Sequence, residues 1–100
     1  MGVTATFRWK IVNQEVGRKW GKIASEVWRK AGATNARAFT VMVGPNVGQW
    51  IFAIEFPDLA AFGKARDAVR AGPEFKQWSE ELPKAGNIVM DAGLLDDITF

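Results

Sequence analysis

Apolar and polar residues alternate over the first dozen positions of the chain. Val3, Ala5, Phe7, Trp9 and Ile11 fall on one side, and Thr4, Thr6, Arg8 and Lys10 on the other. A period of two is that of a strand with one apolar face. Asn13 then offers an N-cap, with Gln14 and Glu15 opening a helical turn. From there the period lengthens. Val16, Trp20, Ile23, Ala24, Val27 and Ala31 recur every three or four residues, opposite Arg18, Lys19, Lys22, Glu26, Arg29 and Lys30. Trp28 falls between the two faces and is expected to be partly exposed. Gly32 ends the helix.

Alternation returns over residues 36–43, with Phe39, Val41 and Val43 against Ala38, Thr40 and Met42. Gly44-Pro45-Asn46-Val47-Gly48 is a turn: its glycines supply positive φ and its proline fixes a corner. The pattern then repeats. Residues 49–56 alternate most cleanly, Trp50, Phe52, Ile54 and Phe56 against Ile51, Ala53 and Glu55. Pro57-Asp58 stops that strand and caps a helix whose inward stripe is Leu59, Phe62, Ala65 and Val69. Gly72-Pro73 breaks it and starts a second helical piece with Phe75, Trp78 and Leu82 along one edge. Residues 83–86 read as a connector. Residues 87–94 read as a last strand, Ile88, Met90, Ala92 and Leu94 opposite Val89 and Asp91, which the final residues extend.

The order β-α-β, β-α-β predicts an α+β, ferredoxin-like βαββαβ domain covering residues 1–100. Right-handed crossovers place both helices on one face of a four-stranded antiparallel sheet ordered fourth, first, third, second. The opposite face is left bare, with Thr4, Thr6, Arg8, Lys10, Ile51, Ala53, Glu55, Val89 and Asp91 on it. A partly apolar sheet face without a cover calls for a partner, and the economical one is a second copy packed sheet to sheet.

Composition narrows the chemistry. The chain has 100 residues, with five Trp and seven Phe to build its core but no Cys, His or Tyr. Disulfides, thiolate metal sites, a cysteine nucleophile, the commonest general base and the usual haem ligand are therefore excluded. Ser25 and Ser79 lie in helical patterns with no base beside them, which argues against triad chemistry. Residues 1–40 carry eight Lys/Arg against two Glu, and residues 41–100 carry five against nine Asp/Glu. A basic first helix is one reading of nucleic-acid binding, but the acidic second half weakens it, and a solvated helix face explains the charge. No apolar run reaches the ~20 residues of a membrane span. Neither nucleic acid nor membrane is expected as a partner. Met1-Gly2 with Thr6 formally fits a myristoylation pattern, but a strand start is a poor lipid anchor. A cytoplasmic location is expected.

The segment Trp50-Ile51-Phe52-Ala53-Ile54-Glu55-Phe56, then Asp58-Leu59-Ala60-Ala61-Phe62, then Gly72-Pro73-Glu74-Phe75-Lys76-Gln77-Trp78 resembles the dimeric α+β barrel superfamily. It is similar to the small NIPSNAP-like and antibiotic-biosynthesis monooxygenase-like proteins. In those families such a strand is followed by a helix opening D-L-x-x-F/Y and by a D-P-E-F/W-x-x-W/F segment, where this chain has Gly72 for the Asp. The resemblance implies a homodimer whose sheets close a barrel, with a pocket inside it or between sheet and helices. Some such relatives oxidise polycyclic phenols or quinols without metal or flavin, using Asn, Trp, Arg and often Tyr. Others degrade haem with a His ligand, which this chain lacks.

The candidate ligand-binding residues are Arg8, Lys10, Arg37, Trp50, Glu55 and Asp91. Arg8 or Lys10 is placed to pair with Asp91 across neighbouring strands. Glu55 interrupts an apolar stretch, where burial would suit a general base. The five Trp are core residues or the walls of a pocket for a flat ligand. The expected function is binding of a small, partly apolar ligand by a homodimer, with no cofactor. The alternatives are a cofactor-independent monooxygenase on an aromatic or polyketide-like substrate, and an interaction module with a filled barrel. In the monooxygenase reading Arg8, Lys10 or Arg37 would stabilise charge developing on a substrate carbanion.

Overall fold

The computed structural model describes residues 2–98. Its elements are β1 (Val3–Lys10), α1 (Gln14–Lys30), β2 (Asn35–Thr40), β3 (Trp50–Phe56), α2 (Leu59–Ala71), α3 (Pro73–Lys84) and β4 (Ile88–Asp96). The strands form one antiparallel sheet in the order β2-β3-β1-β4, as the repeated pattern requires.

Register places the two cleanest alternating runs on one face. Ala5 lies opposite Ile54, Phe7 opposite Phe52 and Trp9 opposite Trp50. β2 adds Ala36, Ala38 and Thr40 to that face, and β4 adds Ala92 and Leu94. The helices pack there: Trp20, Ala24 and Trp28 of α1, Ala65 and Val69 of α2, and Trp78 and Leu82 of α3 are buried against Val3, Ala5, Ile54 and Phe56. The result is a slab only 17 Å thick, one helix layer on one sheet.

Local signals explain the boundaries. Asn13 Oδ1 accepts from the Val16 N–H and Asp58 Oδ1 from the Ala61 N–H, the two side-chain N-caps. Gly32 takes φ 123° and the chain leaves α1 with Ala33 N–H bonded to the Trp28 carbonyl. That pairing requires a left-handed residue, which glycine supplies without strain. In the β2–β3 turn Asn46 joins Gly44 and Gly48 at positive φ.

Several expectations are corrected. Trp28 is buried rather than partly exposed, with its ring 5.9 Å from Phe56 in an edge arrangement and 6.3 Å from Phe7. Leu59 is exposed, because as the first helical residue it lies a turn ahead of the sheet contact that Phe62 makes. β2 stops at Thr40 instead of running to residue 43, although Val41 N–H still bonds the Gln49 carbonyl at 2.9 Å. Pro83 belongs to α3 rather than to a connector. Only its own amide bond is lost there, and Ala85 N–H still reaches the Glu81 carbonyl.

β4 departs most. Arg8 faces Asp91 but Trp9 faces Val89, so Met90 is an extra residue and the alternation slips. Val89 therefore joins the helix side and Ile88 faces Lys10 on the other, the reverse of the simple reading. The strand runs to Asp96, and residues 99 and 100 of its expected extension lie outside the described residues.

Candidate functional site

Two surfaces compete for function, and they lie on opposite sides of the sheet. On the helix side an open cavity of about 1160 Å³ is lined by Phe7, Trp9, Trp20 and Trp50 together with residues of all three helices and all four strands. One side of it runs between α1 and β2–β3, past Gly21, Ser25, Ala38, Thr40 and Phe52. The other runs between α2–α3 and β4, past Phe62, Phe75, Trp78 and Leu94. Residues of β1, the strand between β3 and β4, connect the two.

The lining is aromatic and carries charge of one sign. Arg18, Lys22, Arg66 and Arg70 line the cavity, and among the described residues no Asp or Glu does. Two of these cations lie against rings: the guanidinium carbon of Arg18 is 5.7 Å from the Trp50 ring centroid, and that of Arg66 is 5.9 Å from Phe62. Ser25 donates its hydroxyl to the Gly21 carbonyl at 2.8 Å. No buried side-chain nitrogen or oxygen among the described residues lacks a partner. An aromatic-walled space with cationic edges is suited to a flat ligand carrying a polar or negative group.

The other face holds five of the six candidate residues. Arg8, Lys10, Arg37, Glu55 and Asp91 point away from the helices, whereas Trp50 lines the cavity. The six are thus not one constellation. Arg8 pairs with Asp91, as strand neighbours allow, its Nε at 3.0 Å from Oδ2 and its Nη2 on the same oxygen. Its Nη1 also donates to Gln49 Oε1. Nothing in the sequence singles out Gln49. It lies at the end of the turn, where only pairing of β1 with β3 brings it to Arg8. Arg37 stacks on Phe39 two residues on, with its guanidinium carbon 5.0 Å from the ring. Glu55 lies between Thr4 and Asn35 on the neighbouring strands and is half-buried. Large apolar groups complete the face: Phe39, Ile88 and Leu95 are exposed beside these charges.

Nothing in this geometry gathers metal ligands: among the described residues no three Asp or Glu side chains come together. Among the same residues no helix is long and apolar enough to cross a membrane.

No family model and no curated protein matches the chain. Solved structures do. A point variant of SnoaB, a cofactor-independent oxygenase from Streptomyces nogalater, superposes with a TM-score of 0.71 over 99% of this chain and 95% of its own, at 14% identity. An uncharacterized NIPSNAP-like domain protein from Burkholderia xenovorans gives 0.67 over 99% and 87%, at 10% identity. The chain has the fold of these proteins. A candidate antibiotic biosynthesis monooxygenase from Deinococcus radiodurans gives 0.69 over 100% and 95%, at 12% identity. The NIPSNAP-like and monooxygenase-like resemblance read from residues 50–78 thus holds at the level of fold. At such identities the likeness carries no residue of one site onto another.

Proposed function

We propose that this protein is a homodimer that binds a small, partly apolar, planar ligand in the cavity between its helices and its sheet. The observation that carries the reading is the cavity itself: about 1160 Å³ walled by tryptophan and phenylalanine in a chain of 100 residues. A chain this short has little apolar surface to spare, and leaving so much of it lining a space costs packing that a filled core would keep.

The partner is a second copy. The bare sheet face carries both signs of charge, Arg8, Lys10 and Arg37 with Glu55 and Asp91, around exposed Phe39, Ile88 and Leu95. A two-fold interface meets itself, so a patch of mixed sign with an apolar filling is self-complementary where a patch of one sign would repel. In this reading Arg8 and Asp91 are interface residues, and Trp50 belongs to the ligand site. A cytoplasmic location suits this reading, and no cofactor is required by it.

A second reading is favoured by the fold shared with SnoaB, a cofactor-independent oxygenase. A bound phenol or quinol with an acidic CH2 would lose a proton to solvent water, since no carboxylate lines the cavity among the described residues, and its carbanion would reduce dioxygen. One oxygen atom would become the new carbonyl and the other would leave as water. The cavity's cations would stabilise the developing anion.

Titration with the neutral fluorescent probe N-phenyl-1-naphthylamine tests the cavity. Saturable enhancement is expected, and its absence at high micromolar probe overturns the binding reading. Light scattering should give the mass of two chains at micromolar concentration, and a monomer overturns the dimer. Quinol turnover in air but not under argon supports the oxygenase. Equal rates in both rule it out.

A further inference from the structure

The cavity has a definable seat, and it rests on the binding reading above. At Gly17 α1 lies close on its neighbours: a Cβ there would stand 3.1 Å from Cζ3 of Trp50 and 3.5 Å from Ile11. One helical turn on, at Gly21, a Cβ would meet nothing within 4 Å. Gly21 lies in the interior of α1, lines the cavity and does not take positive φ. Neither backbone conformation nor close packing therefore calls for glycine, and alanine would favour the helix. What glycine achieves there is space. The same cavity is lined by the rings of Trp50 and Phe52, with the small Ala38 and Thr40 beside them in register. Bare helix backbone at Gly21 and aromatic rings in the same lining suit a flat ligand.

Charge defines the other half. Arg18 stands over Trp50 and Lys22 lies one turn further along α1, both lining the cavity. Among the described residues neither makes an ion pair with a carboxylate. Glu15 and Glu26 on the same helix are exposed and do not line the cavity. We propose that Gly21 is the specificity-determining position of a seat for a planar aromatic acid, whose ring lies between the Gly21 backbone and Trp50–Phe52 and whose anionic group meets Arg18 at the rim.

Calorimetric titration of the full chain with 2-naphthoate and with neutral 2-naphthamide tests this. Naphthoate should bind about fivefold or more tighter than naphthamide, the scale of one charge-assisted hydrogen bond near solvent. Gly21→Leu fills the gap and should weaken both by about tenfold or more while melting at or above the wild-type temperature. Gly63→Leu is the control: Gly63, in α2, also meets nothing within 4 Å but does not line the cavity. It should leave binding unchanged. Arg18→Gln should bring naphthoate down to the naphthamide level and leave naphthamide alone. The proposal is overturned if naphthamide binds as well as naphthoate, if Gly21→Leu binds like wild type, or if neither compound binds. Where N-phenyl-1-naphthylamine still binds, such a result removes only this seat and ligand class. Where that probe also fails, the binding reading falls with it.

Discussion

Asn87 holds the residue that caps α1. Its Oδ1 accepts from the backbone N–H groups of Val12 and Asn13, at 2.8 and 2.9 Å, and its Nδ2 donates to the Asn13 carbonyl at 2.9 Å. Asn13 in turn accepts from Val16 N–H at 3.0 Å. One amide thus ties the approach to β4 to the β1–α1 corner and fixes where α1 leaves the sheet. Asn87 is the one polar residue among the buried side chains described, and it is fully enclosed.

Loss of that amide should be severe. Asn87→Ala would leave two N–H groups and a carbonyl without their partner, at about 3 kcal/mol of unfolding free energy. Asn87→Asp keeps the acceptor but sets a carboxylate against the Asn13 carbonyl, so it should not rescue. Urea unfolding monitored by far-ultraviolet dichroism reads both. A loss under about 1 kcal/mol for Asn87→Ala would mean water replaces the amide without penalty.

Gly17 and Gly21 should respond differently to the same substitution. Each is in α1, so alanine brings the same helix-propensity gain of about 1 kcal/mol. At Gly21 nothing opposes it, and Gly21→Ala should be stabilising by about that amount. At Gly17 the new methyl presses Trp50 at 3.1 Å, so the gain should shrink or vanish as the indole yields. Thermal melts compare the two, and the Trp emission of Gly17→Ala should shift while that of Gly21→Ala does not. Equal stabilisation with identical emission would show that Trp50 moves freely.

Much of this fold is legible in the sequence because its strands alternate. The runs through Phe7 and Phe52 have one apolar side each, so their faces and the sheet order follow. The run Ile88-Val89-Met90 has no polar residue to mark a side, and nothing in it signals the bulge. Trp28 misleads because a side chain at the border of a helical stripe is long enough to swing inward, and Phe7 and Phe56 supply the rings it meets. Of the candidate site, Trp50 is legible as a pocket wall. Gly21 is not, since a glycine in a helix reads only as a weak point. Its meaning lies in the empty space beside it, which is a property of the packing. Asn87 is equally silent, for its partners are more than seventy positions away.

Trp28 should be among the most damaging residues to remove. It is buried by α1 against both central strands, and truncating a core aromatic of this kind costs about 3 to 5 kcal/mol. A domain of this length has a total stability of about 5 to 10 kcal/mol, so Trp28→Ala should melt at low temperature or lose its cooperative transition. Trp28→Phe retains a ring and should cost less than half as much. If Trp28→Ala instead unfolds cooperatively close to the wild-type midpoint, then Trp28 is a wall of the cavity that the fold does not need.

Ile51 offers the sharpest test of the dimer. It sits on the bare face in a central strand of the sheet, between Phe39 on β2 and Arg8 on β1. Its side chain points away from every helix, so a charge there should not disturb the monomer's core. In a face-to-face dimer each copy's bare face is covered, and Ile51→Glu would bury one unpaired carboxylate per chain in the interface. Each buried, unpaired carboxylate costs several kcal/mol, so dissociation should rise by about a hundredfold or more. Light scattering at micromolar concentration should then give one chain's mass, while dichroism at high dilution matches the wild type. A variant that stays dimeric would place the interface elsewhere, and the exposed edge of β4, with Val89 and Leu94 on the helix side, would be the next surface to charge.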